Sequence, residues 1–152
     1  MPFSRARKEV THTMQATVEK RINRKQKVIL VIEDDRDMND LVCDALDSAG
    51  YQTLSAFDGV EGLRLGEQAH PDVILLDIIL PDADGVDLCR DLRRNETTRL
   101  IPIIMLTGRQ DLSTKLSSYI AGAKRYITKP FQIDQLIEEV DKTLIQKQIT
   151  AD

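Results

Sequence analysis

Tryptophan is absent from the 152 residues, cysteine and histidine occur twice each, and aromatics make up only 4%. Two cysteines, Cys43 and Cys89, are too few for a disulfide framework or an all-cysteine zinc site. Both fall within helical patterns beside apolar neighbours, which predicts small core hydrophobes. His12 lies in the N-terminal segment and His70 precedes Pro71 in a turn. Neither closes an apolar run, so neither is assigned a metal-binding or catalytic role. No stretch approaches eighteen apolar residues, which excludes a membrane-spanning helix. The amino end lacks the continuous apolar core of a signal peptide, so the expected location is the cytoplasm. No repeat or low-complexity tract is visible.

What is present is charge, unevenly placed. Residues 1–27 carry eight Lys and Arg against two Glu, a net charge of +6. Residues 28–152 carry thirteen basic against twenty-three acidic side chains, a net charge of −10. The break at Lys27/Val28 predicts three parts. Residues 1–27 form a basic extension, flexible or a short helix. Residues 28–148 form one globular domain, and 149–152 a short tail. Within the extension Val10, Met14, Val18 and Ile22 recur every four residues, the stripe of an amphipathic basic helix that would suit an acidic partner, anionic lipid or nucleic acid. The chain stops soon after its last helical pattern, so no DNA-binding domain is expected.

From Val28 the pattern alternates between strand and helix five times. Val28–Ile32, Tyr51–Ala56, Val73–Leu76, Ile101–Leu106 and Arg125–Thr128 read as strands. The first, third and fourth are near-continuous apolar runs, as strands buried on both faces should be. Met38, Leu41, Val42, Ala45 and Leu46 mark one face of the first helix, which Gly50 stops. A short helix over about 60–68 follows the second strand. Val86, Cys89 and Leu92 mark the third helix, Leu112, Leu116 and Ile120 a weaker fourth, and Ile133, Leu136, Ile137, Val140 and Leu144 the last. Alternating βα units with short connections predict a flavodoxin-like, doubly wound, five-stranded parallel sheet of order 2-1-3-4-5, with helices on both faces.

In such a sheet the carboxyl ends of the strands open onto one crevice. The first strand ends in Glu33-Asp34, the third in Asp77, the fourth in Thr107, and the fifth leads into Lys129-Pro130. Three carboxylates, a hydroxyl and an ammonium converging there point to a hard cation together with a phosphoryl group.

These residues resemble the receiver domain of two-component response regulators, over roughly residues 27–146. The resemblance is carried by Glu33-Asp34-Asp35, by Leu76-Asp77-Ile78-Ile79-Leu80-Pro81 with Asp84-Gly85, by Met105-Leu106-Thr107-Gly108, and by Ala123-Lys124-Arg125-Tyr126-Ile127-Thr128-Lys129-Pro130-Phe131. It implies that Asp77 accepts a phosphoryl group from a phosphohistidine on a sensor histidine kinase or a histidine phosphotransfer protein. It implies Mg²⁺ held by Asp34, Asp77 and the Ile79 backbone carbonyl, with Glu33 acting through water. Glu33 stands where Asp is common in the family, which leaves the charge in place. Thr107 and Lys129 are the implied phosphoryl-binding groups. Thr107 and Tyr126 are the implied switch, and Ile79 and Arg109 the positions that set acyl phosphate lifetime. A cis Lys129-Pro130 peptide is also implied. Signalling would run through a downstream protein partner or a phosphorylation-dependent dimer, on the face built from the fourth helix, fifth strand and last helix.

The chemistry of the residues agrees with this. Crowded carboxylates repel one another until a cation relieves them, and phosphoryl transfer needs mainly positioning and charge neutralisation. The resulting expectation is a phospho-accepting switch and not an enzyme in the ordinary sense. Two alternatives share the chemistry. One is a phosphorelay intermediate that passes the group onward. The other is a haloacid-dehalogenase-type Mg²⁺-dependent phosphatase, whose Asp-x-Asp signature Asp35-Arg36-Asp37 superficially fits. Those residues fall past the strand end, whereas the best-placed aspartate follows strand three.

Overall fold

The computed structural model describes residues 22–151. Five strands alternate with five helices: β1 Val28–Ile32, α1 Arg36–Ser48, β2 Gln52–Ala56, α2 Gly59–Ala69, β3 Val73–Leu76, α3 Gly85–Arg94, β4 Ile103–Thr107, α4 Leu112–Ile120, β5 Arg125–Thr128 and α5 Ile133–Ala151. All pairings are parallel and the order is β2-β1-β3-β4-β5, the flavodoxin-like order expected. Among the described residues no helix is long and apolar enough to cross a membrane.

Each central strand feeds two cores, because successive side chains leave opposite faces of a strand. Leu30, Ile32, Ile74, Leu76, Ile103 and Met105 face α2 and α3, packing on Cys89 and Leu92. Ile29, Val31, Val73, Leu75, Ile104 and Leu106 face α1 and α5, packing on Val42, Leu46, Leu136, Val140 and Leu144. Burying each such Leu or Ile contributes about 1.5–3 kcal/mol, which is why unbroken apolar runs became central strands. Both cysteines are free and buried.

The acidic excess has a structural use. Helices α1 to α4 each open on an aspartate N-cap. Asp35, Asp58, Asp84 and Asp111 accept from the amides of Met38, Glu61, Val86 and Thr114. A carboxylate at that position satisfies an orphan N–H and faces the positive end of the helix dipole. Asp82 adds a cap from outside the helix, accepting from Gly59 N at 2.7 Å and Val60 N at 3.0 Å.

Several expectations need correcting. The inward face of α1 is Asn39, Val42, Cys43 and Leu46, and Leu41 is 47% exposed. The helix is turned so that the Asn39 amide can donate to the carbonyls of Glu33 at 3.0 Å and Ala56 at 3.3 Å. The stripe Leu112, Leu116 and Ile120 on α4 points outward, and the helix buries Ser118 instead. Strand β4 begins at Ile103 and not Ile101, since Pro102 has no N–H to give the ladder.

The packed body also extends at both ends. Helix α5 runs to Ala151. Ile22 is buried among Val42, Leu46, Tyr51, Val140 and Leu144. A short 3-10 turn, Arg24–Gln26, follows it. Arg24 grips Asp141 through two bonds, Nη2 to Oδ2 at 2.6 Å and Nε to Oδ1 at 3.2 Å. The Tyr51 hydroxyl donates to the same carboxylate. Burial, then Asp141, holds the Tyr51 phenol well above its ordinary pKa, so it remains the donor. The other members of the four-residue stripe, Val10, Met14 and Val18, lie outside the described residues.

Candidate functional site

The site is assembled by strand register. Ile32 pairs with Leu76, and Leu76 with Met105, so the residues that follow these strands emerge side by side. Asp77 N donates to Ile32 O at 3.0 Å, tying the two strand ends together just where the carboxylates begin. Asn39 fixes the Glu33 carbonyl from below. Gly85 N donates to Ile78 O at 2.7 Å, drawing the start of α3 onto the loop after Asp77. A Cβ on Gly85 would sit 2.3 Å from the Asp77 carbonyl oxygen, so only glycine permits this approach.

Glu33, Asp34 and Asp77 each place one carboxylate oxygen within 4.8 Å of the others. Glu33 and Asp77 are buried and Asp34 is exposed. Lys129 reaches in from the loop after β5. Its ammonium donates to Glu33 Oε1, and to Asp77 Oδ2 at 3.1 Å. The Lys129-Pro130 peptide is cis. Thr107 closes the crevice from β4, fully buried, with its Oγ1 3.4 Å from the Arg109 amide.

The electrostatics separate the two buried carboxyls. Burial, reinforced by Asp77, pushes Glu33 up to about 7. Burial also opposes ionisation of Asp77, but Glu33, the Lys129 charge and the Thr107 hydroxyl together hold it below its ordinary value. Lys129 is raised despite its own burial, because Glu33 and Asp77 both favour the ammonium. Asp77 is therefore an ionised carboxylate at neutral pH, aimed into a crevice with a cation at hand.

The donor set suits a hard divalent ion. Three carboxylates meet at the crevice, and among the described residues Glu33 Oε2 is buried without a hydrogen-bond partner. An orphaned buried oxygen of that kind costs free energy that a metal-bound water or an ion would recover.

The other expected residues are placed as follows. Ile79 is 60% exposed beside the crevice, its amide 3.4 Å from Asp77 Oδ1. Tyr126 is half-buried, and its hydroxyl donates to the Arg109 carbonyl at 2.6 Å, two residues past Thr107. Arg109 turns its guanidinium away, to Asp111 Oδ1 at 3.1 Å and Thr114 Oγ1 at 3.2 Å. Open space surrounds the Cα of Gly108, where a Cβ would meet nothing within 4 Å. Asp35 is occupied as the cap of α1 and stands outside the carboxylate cluster, which leaves the phosphatase alternative without its nucleophile. Sequence reasoning missed Asn39. Its signal was a polar residue one position past Met38 in an otherwise apolar helical face.

Residues 29–141 match the family described as the response regulator receiver domain. The chain is 42% identical over 112 residues to the DNA-binding dual master transcriptional regulator RpaA of Synechocystis sp., covering 74% of this chain and 46% of that protein. It spans about half the length of the curated relatives it matches. The response regulator receiver domain protein (CheY-like) of Methanospirillum hungatei superposes with a TM-score of 0.78 at 31% identity, covering 82% of this chain and 98% of that one. The receiver domain of sensor histidine kinase PA1611 of Pseudomonas aeruginosa superposes with a TM-score of 0.73 at 30% identity, covering 78% and 97%. That structure holds a magnesium ion coordinated in its active-site cleft.

Proposed function

Because the chain belongs to the response regulator receiver domain family, whose general function is to accept a phosphoryl group on an aspartate, we propose that Asp77 is the acceptor. One observation carries the assignment: Asp77 is the buried carboxylate at the end of the central strand, with the Lys129 ammonium 3.1 Å from its Oδ2 and the carboxylates of Glu33 and Asp34 beside it. The phosphoryl donor is a phosphohistidine on a sensor histidine kinase or a histidine phosphotransfer protein. An Asp77 oxygen attacks phosphorus, the phosphorus–nitrogen bond breaks, and the electron pair leaves with the imidazole. The product is an acyl phosphate on Asp77.

Lys129 sits where it neutralises a phosphoryl oxygen, and its existing bonds to Glu33 and Asp77 keep it there before the donor arrives. Thr107 offers a hydroxyl to a second oxygen, and the open space at Gly108 admits the donor. Asp34, Asp77 and the Ile79 carbonyl would hold Mg²⁺, with Glu33 acting through water. When bound, that ion neutralises charge on the transferring group.

The switch runs through Tyr126. Its hydroxyl is tied to the Arg109 carbonyl, in the loop that Thr107 begins. Movement of Thr107 toward a phosphoryl group shifts that loop, releases the hydroxyl, and lets the ring turn inward. The face formed by α4, β5 and α5 then changes, and a protein partner or a second copy reads it. The outward stripe of Leu112, Leu116 and Ile120 supports that face as a contact surface. The domain is a signalling switch working in the cytoplasm, as a terminal output or a relay station. Incubation with phosphorylated histidine kinases tests the reading. Label should appear on the parent and vanish in Asp77→Asn, and label retained in that variant would refute it.

A further inference from the structure

At the opposite end of the sheet from Asp77 lies a second concave feature. Arg93, Arg99, Lys124 and Lys147 line a cleft of about 450 Å³ between the end of α3, the loops entering β4 and β5, and the last turns of α5. Among the described residues no carboxylate lines it, although residues 28–152 carry a net charge of −10. Among the described residues none of the four cations forms an ion pair. Like charges gathered in this way repel one another unless an anion joins them.

Arg93 is the fixed point. Its Nε and Nη2 donate to Gly122 O at 3.2 and 3.0 Å, and its Nη1 to Arg99 O at 2.9 Å and Ile101 O at 2.6 Å. Four of its five N–H donors are thus spent on neutral carbonyls, so its charge is held rigidly and left uncompensated. Gly122 permits this hold: it adopts φ +111°, and a Cβ there would lie 2.7 Å from Arg93 Nε. Arg99 and Lys124 are exposed at the rim and free to close on a ligand. Leu100, 75% exposed, and Pro102 add an apolar wall.

We propose that this basic cleft binds a small phosphorylated molecule of nucleotide size, its phosphates held by Arg99, Lys124 and Lys147 against the fixed charge of Arg93, and its organic part resting on Leu100 and Pro102. The volume falls in the range of small-molecule sites, roughly 300–1,000 Å³. Arginine forks and lysine point charges together suit phosphate oxygens better than a lone carboxylate. The cations converge on one cleft and do not run as a stripe along a face, and the surrounding acidic domain repels an extended polyanion, which disfavours nucleic acid.

Isothermal titration of the full chain with ATP tests the assignment, in chelator so that no metal complex is drawn to Asp77. One ATP should bind per chain, with affinity falling as salt rises. Lys124→Gln and Arg99→Gln, both at exposed positions, should each weaken binding by roughly tenfold. Asp77→Asn should leave it unchanged, which separates this site from the phosphoryl-accepting crevice. Pyrophosphate should bind more weakly than ATP, and adenosine not at all. Absence of binding at millimolar ATP, equal binding by both rim variants, or loss in Asp77→Asn would overturn the proposal. So would tighter binding of a duplex oligonucleotide through the same residues.

Discussion

Gly85→Ala should be the most damaging single-methyl change in the domain. The added Cβ would meet the Asp77 carbonyl oxygen at 2.3 Å, the Ile78 Cα at 2.5 Å and the Asp77 carbonyl carbon at 3.0 Å. All three are backbone atoms, so no side chain can rotate out of the way. Either the end of β3 or the start of α3 must move, breaking the Gly85 N to Ile78 O bond at 2.7 Å. Overpacking that side chains can absorb costs about 1–3 kcal/mol, so a clash between backbone segments should reach or exceed about 3 kcal/mol. Two other glycines calibrate the argument. At Gly62 the nearest atoms all belong to the Ile32 side chain, Cδ1 at 2.6 Å, Cγ1 at 3.0 Å and Cγ2 at 3.1 Å, so a side chain and no backbone must give, and Gly62→Ala should cost about 1–3 kcal/mol. At Gly66 nothing lies closer than 3.5 Å, and replacing a glycine inside α2 should stabilise by about 0.5–1 kcal/mol. Urea denaturation of the three variants measures this order, read as a shift in midpoint at constant slope. Gly85→Ala within about 0.5 kcal/mol of the parent would refute the close approach of α3 to Asp77.

Three further outcomes are expected. Mg²⁺ should raise the thermal midpoint, by an amount equivalent to about 2.7 kcal/mol at a hundredfold excess over Kd, and Asp34→Asn should reduce the effect; equal stabilisation in that variant would remove Asp34 from the ligand set. Thr107→Ala should still be phosphorylated yet couple poorly to partner binding, and pull-down with the phosphorylated variant would expose any coupling that survives. Ile79→Asn should hydrolyse its acyl phosphate faster than the parent, because an amide beside Asp77 can orient a water that an apolar side chain cannot. Phosphate loss after donor removal measures this, and a rate equal to or below the parent's would show that Ile79 does not shield the bond. Arg109 is not expected to add to that shielding while Asp111 and Thr114 hold its guanidinium.

The strands and the crevice were legible in the sequence because each informative residue closes an apolar run. Val73–Leu76 could be buried on both faces only as a central strand, and Asp77 had to emerge at its end. Helix facing was less legible. Period alone favoured Leu41, but α1 turns inward on Asn39 and Cys43, since the Glu33 carbonyl at the strand end demanded an amide more than the core demanded another leucine. The α4 stripe failed in the opposite way: an apolar period says that a face is sticky and not which way it points. The Arg24, Tyr51 and Asp141 cluster could not be read at all. Its members come together only in the folded chain, with 117 positions separating Arg24 from Asp141. Charge composition therefore marked a boundary at Lys27/Val28, while packing reaches back to Ile22.

Mapping the modified residue decides whether Asp77 is the phosphoryl acceptor. The chain is incubated with acetyl phosphate and Mg²⁺, its intact mass is followed, and the acyl phosphate is located by reductive trapping and peptide sequencing. One phosphoryl group per chain is expected, on Asp77, with none added when the metal is chelated before the donor and none in Asp77→Asn. A phosphoryl group found on Asp34 or Asp35 in the parent, or undiminished incorporation in Asp77→Asn, would contradict it.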